Sequence, residues 1–361
     1  MKKLFLDALH RGLGGKIVPF GGWDMPVQYK NGILREHEHT RSMVSLFDIS
    51  HMGEFRIRGK NGSNQLEKIL ARPVVSQKVG SCRYNFLMNA YGGIKDDLIV
   101  YKISDEELFL VVNAATTESD ADYIKEFIDN SVEFEDVSKI TGKLDLQGPK
   151  AVDVLTNLGI KKETLPRYFR FKNIKIKGID CLISRTGYTG ELGFEFYVNT
   201  DSIVDLWKLL SEQPGVQPAG LGCRDTLRLE MGYPLYGHEL DEKTTPIEAG
   251  FAPIVHPEKH SFISSDILIE NKPKKFLHAI QLDGRRAARE KTIVFDKDHN
   301  KIGIVTSGSY SPSIKGAIAL AYLNKKYNVN SELKLELSGK DINGKVVTLP
   351  FYQNGTVRNK L

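Results

Sequence analysis

Residues 99–112, IVYKISDEELFLVV, decide the fold class. Two apolar, β-prone runs flank the polar centre SDEE, a pattern typical of two antiparallel strands joined by a short turn. A second pair of runs, KLELSGKDINGKVVTL at residues 334–349, predicts another hairpin with its turn at Asn343-Gly344. Such adjacent pairs favour an α+β class with antiparallel sheets over repeated βαβ units or a doubly wound sheet.

Outside these hairpins, the apolar residues follow the period of a strand in some segments and the period of a helix in others. Strands are predicted at residues 54–58, 98–103, 108–112, 176–184, 194–198, 302–306 and 333–337. Helices are predicted at residues 62–70, 117–128, 149–157, 202–210 and 221–231. From about residue 275 the chain is almost all strand and turn, which predicts a small C-terminal β-barrel.

The composition is that of an ordinary globular protein. A chain of 361 residues is longer than one hydrophobic core usually accommodates. Its content of 41% hydrophobic and 26% charged residues excludes a disordered or fibrous protein. A net charge of +5 with interspersed signs does not indicate a nucleic-acid-binding protein. No stretch approaches the roughly 20 apolar residues of a membrane span, so no membrane association is expected.

The cysteines and histidines give no sign of a metal centre. The three cysteines, Cys82, Cys181 and Cys223, are far apart and form no CxxC motif, so we expect a reduced, cytoplasmic chain. His37 and His39 stand two residues apart, which on a helix directs their rings about 200° apart. We therefore expect no metal, and the glycine-rich segments match no nucleotide-binding motif.

Asp96 and Asp97 stand side by side where an apolar strand begins. Because successive side chains of a strand point to opposite faces, one of the two carboxylates faces inward. An inward carboxylate at a pocket mouth can hold or accept a proton from a reacting amine. The alternative interpretation is a turn-forming aspartate pair that follows Gly92-Gly93.

Glu195 and Tyr188 belong to a second candidate site. In the glycine-rich segment 185–196, the apolar positions 194, 196 and 198 share one strand face, which leaves Glu195 on the other. If that face lines a cavity, the carboxylate can accept two parallel N–H donors from a planar heterocycle, with Tyr188 against the same ligand. If the face meets solvent, Glu195 is a surface charge.

Arg224 and Arg228 lie one helical turn apart and could together bind a carboxylate or a polar ring. Internal salt bridges are the favoured alternative, because acidic residues at positions 225, 230, 239, 241 and 242 are available as partners.

Taken together, colinear motifs resemble the aminomethyltransferase family, the T-proteins of the glycine cleavage system. The motifs are FGGWDMP (20–26), FDISHMGE (47–54), GGIKDDLIVY (92–101), LQGPK (146–150), SRTGYTGE (184–191), GLGCRDTLRLE (220–230), LYGHELDE (235–242) and IVTSGSYSP (304–312). Many such matches at consistent spacing are specific, although any one alone is not.

The resemblance implies three domains in a cloverleaf-like arrangement around a central folate channel. The expected division is a discontinuous first domain of residues 1–50 plus 140–245, a second of 51–139, and a third of 246–361 that is mainly the barrel. It also implies a reaction in which an aminomethyl group on the lipoyl arm of a partner H-protein is transferred to tetrahydrofolate. The products are 5,10-methylenetetrahydrofolate, ammonia and dihydrolipoyl H-protein, with no metal, flavin or nucleotide involved.

The same resemblance assigns roles to particular residues. It implies that Asp97 is the essential aspartate, which orients the reacting nitrogens of folate, with Asp96 as its structural neighbour. Glu195 is expected to bind the donor edge of the pteridine. The remaining folate-binding residues expected along the channel are Tyr188, Arg224, Tyr84, Met52 and Asn113.

Two other functions remain open at this point. Related folate-binding proteins of the iron-sulfur repair type are not catalytic, but their cysteine-bearing motif is absent from residues 231–242 here. Flavin-linked demethylating enzymes share the folate half, but they need a dinucleotide-binding domain for which this chain has no room.

Overall fold

The computed structural model describes residues 1–361. Its α-helices are α1 (Asp7–Gly12), α2 (Gly32–Ser42), α3 (Gly62–Glu67), α4 (Thr117–Phe127), α5 (Ala151–Asn157), α6 (Ile203–Ser211), α7 (Leu221–Glu230) and α8 (Ser265–Glu270). Short 3-10 helices occur at Ser138–Ile140, Lys162–Thr164 and Thr200–Ser202. No helix is long and apolar enough to cross a membrane.

Strands make up most of the regular structure. In chain order they are β1 (Lys2–Lys3), β2 (Lys16–Phe20), β3 (Trp23–Gln28), β4 (Val44–Asp48), β5 (Gly53–Arg58), β6 (Ser81–Met88), β7 (Ile94–Lys102), β8 (Glu107–Val112), β9 (Glu133–Asp136), β10 (Thr141–Gln147), β11 (Phe171–Ile176), β12 (Ile179–Ser184), β13 (Gly193–Asn199), β14 (Val216–Pro218), β15 (Phe276–Leu282), β16 (Ile293–Phe295), β17 (Lys301–Ser311), β18 (Gly316–Leu323), β19 (Glu332–Leu337) and β20 (Lys340–Val347).

The first large sheet has the strand order β11-β12-β13-β10-β4-β14. One face is apolar: Leu144 and Leu146 of β10 pair with Phe196 and Phe194 of β13 and lie in a buried core with residues of α5 and α6. The alternate positions of β10 and β13 carry charged, amide or phenol side chains that are also buried. This sheet is therefore enclosed on both faces, although only one face is apolar.

The second sheet has the order β6-β7-β8-β5-β9, and helices α3 and α4 cover its apolar face. On the opposite face, Tyr101 and Phe109 pack with Tyr197 of the first sheet. The predicted hairpin at residues 99–112 is confirmed, because β7 and β8 pair antiparallel. The two sheets thus meet through aromatic side chains.

The C-terminal strands close a six-stranded antiparallel barrel in the order β15-β18-β17-β16-β19-β20. Its interior is an apolar cluster of aliphatic residues, and its outer surface contacts α7 through β17. The predicted α+β class and C-terminal barrel are confirmed. A small sheet of order β1-β3-β2 completes the molecule.

Two turn positions differ from the sequence prediction. The run 176–184 is not one strand, since Lys177 and Gly178 both have positive φ (47° and 95°) and form a turn between β11 and β12. The last hairpin turns at Ser338-Gly339, so Asn343-Gly344 lies inside β20 and the predicted turn there is wrong. A Cβ at residue 344 would lie only 3.0 Å from the Ile280 side chain, so that glycine serves close packing.

We propose that the three large sheets mark three domains, with boundaries at residues 1–50 plus 140–245, 51–139 and 246–361. This division is supported by the course of the chain, which leaves the first sheet after β4, builds the whole second sheet, and returns at β10.

Gly93 lies where the chain enters β7, at a close contact with another backbone segment. A Cβ there would lie 1.8 Å from the carbonyl oxygen of Glu242. The next residue, Ile94, donates its N–H to the carbonyls of Asp241 and Thr244 (both 3.1 Å), which ties β7 to this segment.

We predict that Gly93→Ala lowers the free energy of unfolding by about 2 kcal/mol or more, because backbone must move to accommodate the methyl group. The control is Gly12→Ala, where no atom lies within 4 Å of the added Cβ. It should change stability by about 1 kcal/mol or less. Denaturant unfolding of both variants checks this, and equal stabilities would contradict the contact.

Candidate active site

A single large cavity of about 870 Å³ lies between the first sheet, the second sheet, α7 and the barrel. Its volume is that of a site for a ligand of cofactor size. Every site residue predicted from the sequence lines it: Met52, Tyr84, Asp97, Asn113, Tyr188, Glu195 and Arg224. The fold therefore brings these residues together, although they come from positions far apart in the chain.

Asp97 enters the cavity from the middle of the second sheet. The strand β7 begins at Ile94, so both aspartates lie within the strand rather than before it. The Asp97 carboxylate accepts hydrogen bonds from the Tyr84 hydroxyl (2.9 Å) and from the Asn113 side-chain amide (2.8 Å). Asp96 points to the other face and is fully buried. Neither aspartate forms the exposed turn that was the alternative interpretation.

The environment of Asp97 opposes its ionisation. Burial raises its pKa to about 7, and the neighbouring charge of Asp96 adds to the rise, while the hydrogen bonds from Tyr84 and Asn113 lower it. A carboxyl with this pKa exists in both protonation states near neutrality. It can therefore take up a proton and release it again during one reaction cycle.

Glu195 faces the cavity and not solvent, with a side chain only 7% exposed. Its carboxylate lies 3.4 Å from the Lys143 ammonium and accepts a hydrogen bond from the Thr186 hydroxyl (2.6 Å). Burial alone would raise its pKa, but Lys143, Thr186 and Arg224 together lower it. Glu195 is therefore a charged carboxylate. Each of its oxygens already has a partner, but the carboxylate still has lone pairs that can accept hydrogen bonds from a ligand.

Arg224 and Tyr188 are stacked at the cavity wall. The Arg224 guanidinium lies 4.9 Å from the centre of the Tyr188 ring and donates to Asp145 at 2.8 Å. Tyr188 also stacks on Tyr233, with ring centroids 5.8 Å apart, and its hydroxyl donates to the carbonyl of Pro234. These contacts hold the Tyr188 ring and the Arg224 guanidinium in place, and together the two groups form a flat surface that faces the cavity.

Arg228 also lines the cavity, but its guanidinium is held by partners within the protein. Its guanidinium donates to Asp225 (2.8 Å), Glu239 (3.0 Å) and the Ser307 hydroxyl (2.8 Å), which ties α7 to the barrel. The salt bridges favoured from the sequence are therefore present for Arg228, with Asp225 and Glu239 as its partners. Arg224 instead pairs with Asp145 of β10, which the sequence analysis did not consider.

Lys143 and Asp145 were not predicted as site residues; they share the inner face of β10 with Gln147. The signal was present in TGKLDLQ, where polar residues at 143, 145 and 147 alternate with leucines. Burial raises the pKa of Asp145 to about 7, with Glu195 reinforcing the rise and Arg224 opposing it. His51 also lines the cavity, and burial lowers its pKa to about 3, so the imidazole is neutral.

Other candidates lie outside the cavity. His37 contacts the hydroxyls of Thr226 (2.8 Å) and Ser313 (3.1 Å), whereas His39 lies beside the carbonyl of Gly215 (2.9 Å). The three cysteines are buried and unpaired. Tyr352 of the C-terminal tail packs on the Arg41 guanidinium, 4.3 Å from the ring centre.

Comparisons with known proteins identify the family of this chain. The family model described as GCVT N-terminal domain matches residues 6–259, and that of the glycine cleavage T-protein C-terminal barrel domain matches residues 275–353. The chain belongs to the glycine cleavage T-protein family. Members of this family are aminomethyltransferases, and the chain is an enzyme of that class.

Individual T-proteins are similar over their whole length. The aminomethyltransferase of Thermoanaerobacter sp. strain X514 is 40% identical, with 98% of each chain covered. That of Oceanobacillus iheyensis is 41% identical, with 95% of each chain covered. The crystal structure of glycine cleavage system aminomethyltransferase T from Bartonella henselae superposes with a TM-score of 0.91 at 33% identity, covering 97% of this chain and 98% of that one.

We predict that Tyr84→Phe raises the pKa of Asp97 above its value of about 7. The hydroxyl of Tyr84 stabilises the charged carboxylate, so its loss favours the protonated form. Carboxyl-carbon NMR titration of the Asp97 side chain measures the change. Tyr91→Phe is the control, since that side chain is 86% exposed. A lowered or unchanged pKa in Tyr84→Phe would show that the hydrogen bond is unimportant.

Proposed function

We propose that this chain transfers the one-carbon unit of an aminomethyl group from the lipoyl arm of H-protein to tetrahydrofolate. The products are 5,10-methylenetetrahydrofolate, ammonia and dihydrolipoyl H-protein. The observation that carries this proposal is Asp97, a carboxyl with a pKa near 7 inside a cavity large enough for folate. Membership of the T-protein family supports the same reaction.

The proton balance of this reaction explains why such a carboxyl is needed. Two folate nitrogens each lose a hydrogen as they bond to the transferred methylene carbon. One hydrogen ends on the departing ammonia and the other on the lipoyl sulfur, so no net proton is consumed. Asp97 in its charged form can accept a proton from a folate nitrogen, which makes that nitrogen a better nucleophile, and can then return it to a leaving group.

Glu195 provides the proposed anchor for the pteridine. Its charged carboxylate retains acceptor capacity after its contacts with Lys143 and Thr186, so it can accept N–H donors from the heterocycle. The flat surface of Tyr188 and Arg224 suits stacking against the ring. These groups fix the ligand at one part of the cavity and leave its reacting nitrogens for Asp97.

Met52, Tyr84 and Asn113 complete the proposed folate channel. Tyr84 and Asn113 donate to Asp97 and hold the carboxylate in one orientation. Met52 offers an adaptable apolar wall, and its sulfur lies 3.2 Å from the Lys143 ammonium. Alignment of two large substrates in such a channel lowers the entropic part of the activation barrier.

We predict that Asp97→Asn lowers kcat by about 10²-fold or more, because an amide cannot accept the proton. Tetrahydrofolate affinity and fold should be retained, since the amide has nearly the same shape. The assay mixes purified chain, tetrahydrofolate and aminomethyl-loaded H-protein and measures methylenetetrahydrofolate and ammonia. Asp105→Asn, 89% exposed at the hairpin turn, is the control that should keep wild-type turnover.

The outcomes of this assay separate the competing functions. One-to-one formation of both products by the wild-type chain supports the transferase. If tetrahydrofolate binds but neither product forms, the chain is a folate-binding relative that acts with a different partner. Near-normal turnover of Asp97→Asn would show that Asp97 takes no part in the reaction.

We predict that Glu195→Gln weakens tetrahydrofolate binding by about 10- to 100-fold, the scale of one hydrogen bond to a charged group. The amide keeps the volume and an acceptor for Thr186 but loses the charge. Calorimetric titration with tetrahydrofolate measures the affinity. Glu133→Gln, whose side chain is 63% exposed, is the control. An unchanged dissociation constant for Glu195→Gln would place the pteridine elsewhere.

A further inference from the structure

His51 is a buried polar residue of the cavity wall. Its side chain lines the cavity, and the residue is only 7% exposed. The ring nitrogen Nδ1 is buried and has no hydrogen-bond partner. Buried polar side-chain atoms in folded proteins nearly always have a partner. The imidazole is therefore a polar group whose hydrogen bonds the protein alone does not complete.

The backbone beside His51 is fixed to β10. The N–H of Ser50 donates to the Asp48 carboxylate (2.9 Å). The Ser50 hydroxyl accepts the N–H of Lys143 (2.9 Å) and donates to the carbonyl of the same residue (3.2 Å). On the other side, the Met52 sulfur lies 3.2 Å from the Lys143 ammonium. These contacts on both sides hold the imidazole at one place in the wall.

The ring is neutral and carries its hydrogen on Nε2. Burial lowers its pKa to about 3, with the charges of Arg224 and Lys143 adding to the fall and that of Asp48 opposing it. A neutral imidazole has one N–H and one lone pair. A buried N–H without an acceptor is rarer in proteins than a buried acceptor without a donor, so the unpartnered Nδ1 is the lone pair. His51 is thus a hydrogen-bond donor at neutral pH and not a base.

His51 lies behind an exposed rim of the cavity. Its ring meets the Phe20 ring edge-on, with centroids 5.9 Å apart, and Phe20 is 37% exposed. The next residue, Gly21, packs on the segment that follows β8, since a Cβ at residue 21 would lie 3.7 Å from the Ala114 side chain. Phe20, Gly21 and Ala114 all line the cavity. The turn between β2 and β3 therefore forms this rim together with the segment after β8.

The same rim adjoins the carboxyl to which we assign the proton transfer. Asn113 directly precedes Ala114, and its side-chain amide donates to Asp97 (2.8 Å). A substrate arm that is carried by another protein has to enter the cavity from an exposed edge. An arm that enters here meets both Asp97 and His51 close to its entrance.

We propose that the Nε2–H of His51 donates a hydrogen bond to the sulfur of the aminomethyl-lipoyl arm and stabilises the negative charge that this sulfur gains. The inference rests on the proposed function, because it concerns the donor substrate of that reaction. The positive charges of Arg224 and Lys143 favour negative charge at this part of the cavity. A fixed donor in a water-poor site stabilises such a charge without reorganisation.

The carbon–sulfur bond breaks in this step. One folate nitrogen uses its lone pair to bond to the methylene carbon, and both electrons of the carbon–sulfur bond stay on sulfur. Asp97 takes the proton from that nitrogen and passes it to the thiolate, whereas His51 keeps its hydrogen throughout. The second folate nitrogen then displaces the amine from the same carbon, and its hydrogen leaves in the ammonia.

The kinetic test compares His51→Leu, which removes the donor, with His51→Gln, whose amide keeps an N–H at a similar reach. In a single turnover with aminomethyl-loaded H-protein and tetrahydrofolate, the rate of His51→Leu should fall by about 10²-fold and that of His51→Gln by about tenfold or less. The dissociation constant for tetrahydrofolate should change by about twofold or less, because the lost bond is to the other substrate. His256→Leu is the matched control, since that side chain is 46% exposed.

Two kinetic outcomes overturn the proposal. One is an unchanged rate in folded His51→Leu. The other is a loss of tetrahydrofolate affinity of about tenfold or more, which would place the acceptor on the pteridine carbonyl. If the wild-type chain itself forms no product, the proposed function fails, a result distinct from a defect confined to the His51 variants.

Nitrogen-15 NMR of the wild-type chain tests the same proposal without a variant. The contact with the Phe20 ring identifies the His51 signals. They should show a neutral ring with its hydrogen on Nε2 from about pH 5 to about pH 8. The Nε2 signal should shift when aminomethyl-loaded H-protein is added without tetrahydrofolate. Hydrogen on Nδ1, an imidazolium in this pH range, or no response to the loaded H-protein overturns the proposal, even if the variants do not fold.

Discussion

Enclosure of charged groups away from water is the constraint on which this structure depends. The proposed reaction needs a carboxyl with a pKa near neutrality, and burial between the sheets raises the pKa of Asp97 to about 7. Desolvation of one carboxylate would be very costly without compensation, and Tyr84 and Asn113 supply two hydrogen bonds in return. The aromatic contacts between the first two sheets hold those sheets together.

The same constraint governs the inner face of the first sheet. Lys143, Asp145 and Glu195 alternate with leucine and phenylalanine on β10 and β13, so they are buried opposite an apolar core. Arg224 from α7 supplies a further positive charge, within 2.8 Å of Asp145. Removal of one partner from such a group typically costs about 3–5 kcal/mol, because an uncompensated charge stays buried. The polar wall of the cavity is therefore also a structural element.

The sequence predicted local features well. The hairpin at 99–112, the helix that begins at Leu221 and the terminal barrel all follow from periodicity within short segments. The turn at Asn343-Gly344 was wrong because that glycine is required by packing against Ile280 on a neighbouring strand, which local pattern does not reveal. Lys143 was missed for a similar reason: alternation shows a polar face, but only contacts with distant residues such as Met52 show that this face is buried.

The most direct test of the account is a crystal structure of this chain with tetrahydrofolate. The account predicts the pteridine in the cavity between the sheets and α7, with its donor edge at Glu195 and its ring against Tyr188 and Arg224. A reacting nitrogen should lie within hydrogen-bonding distance of Asp97. Folate bound outside this cavity, or with both reacting nitrogens turned away from Asp97, would contradict it.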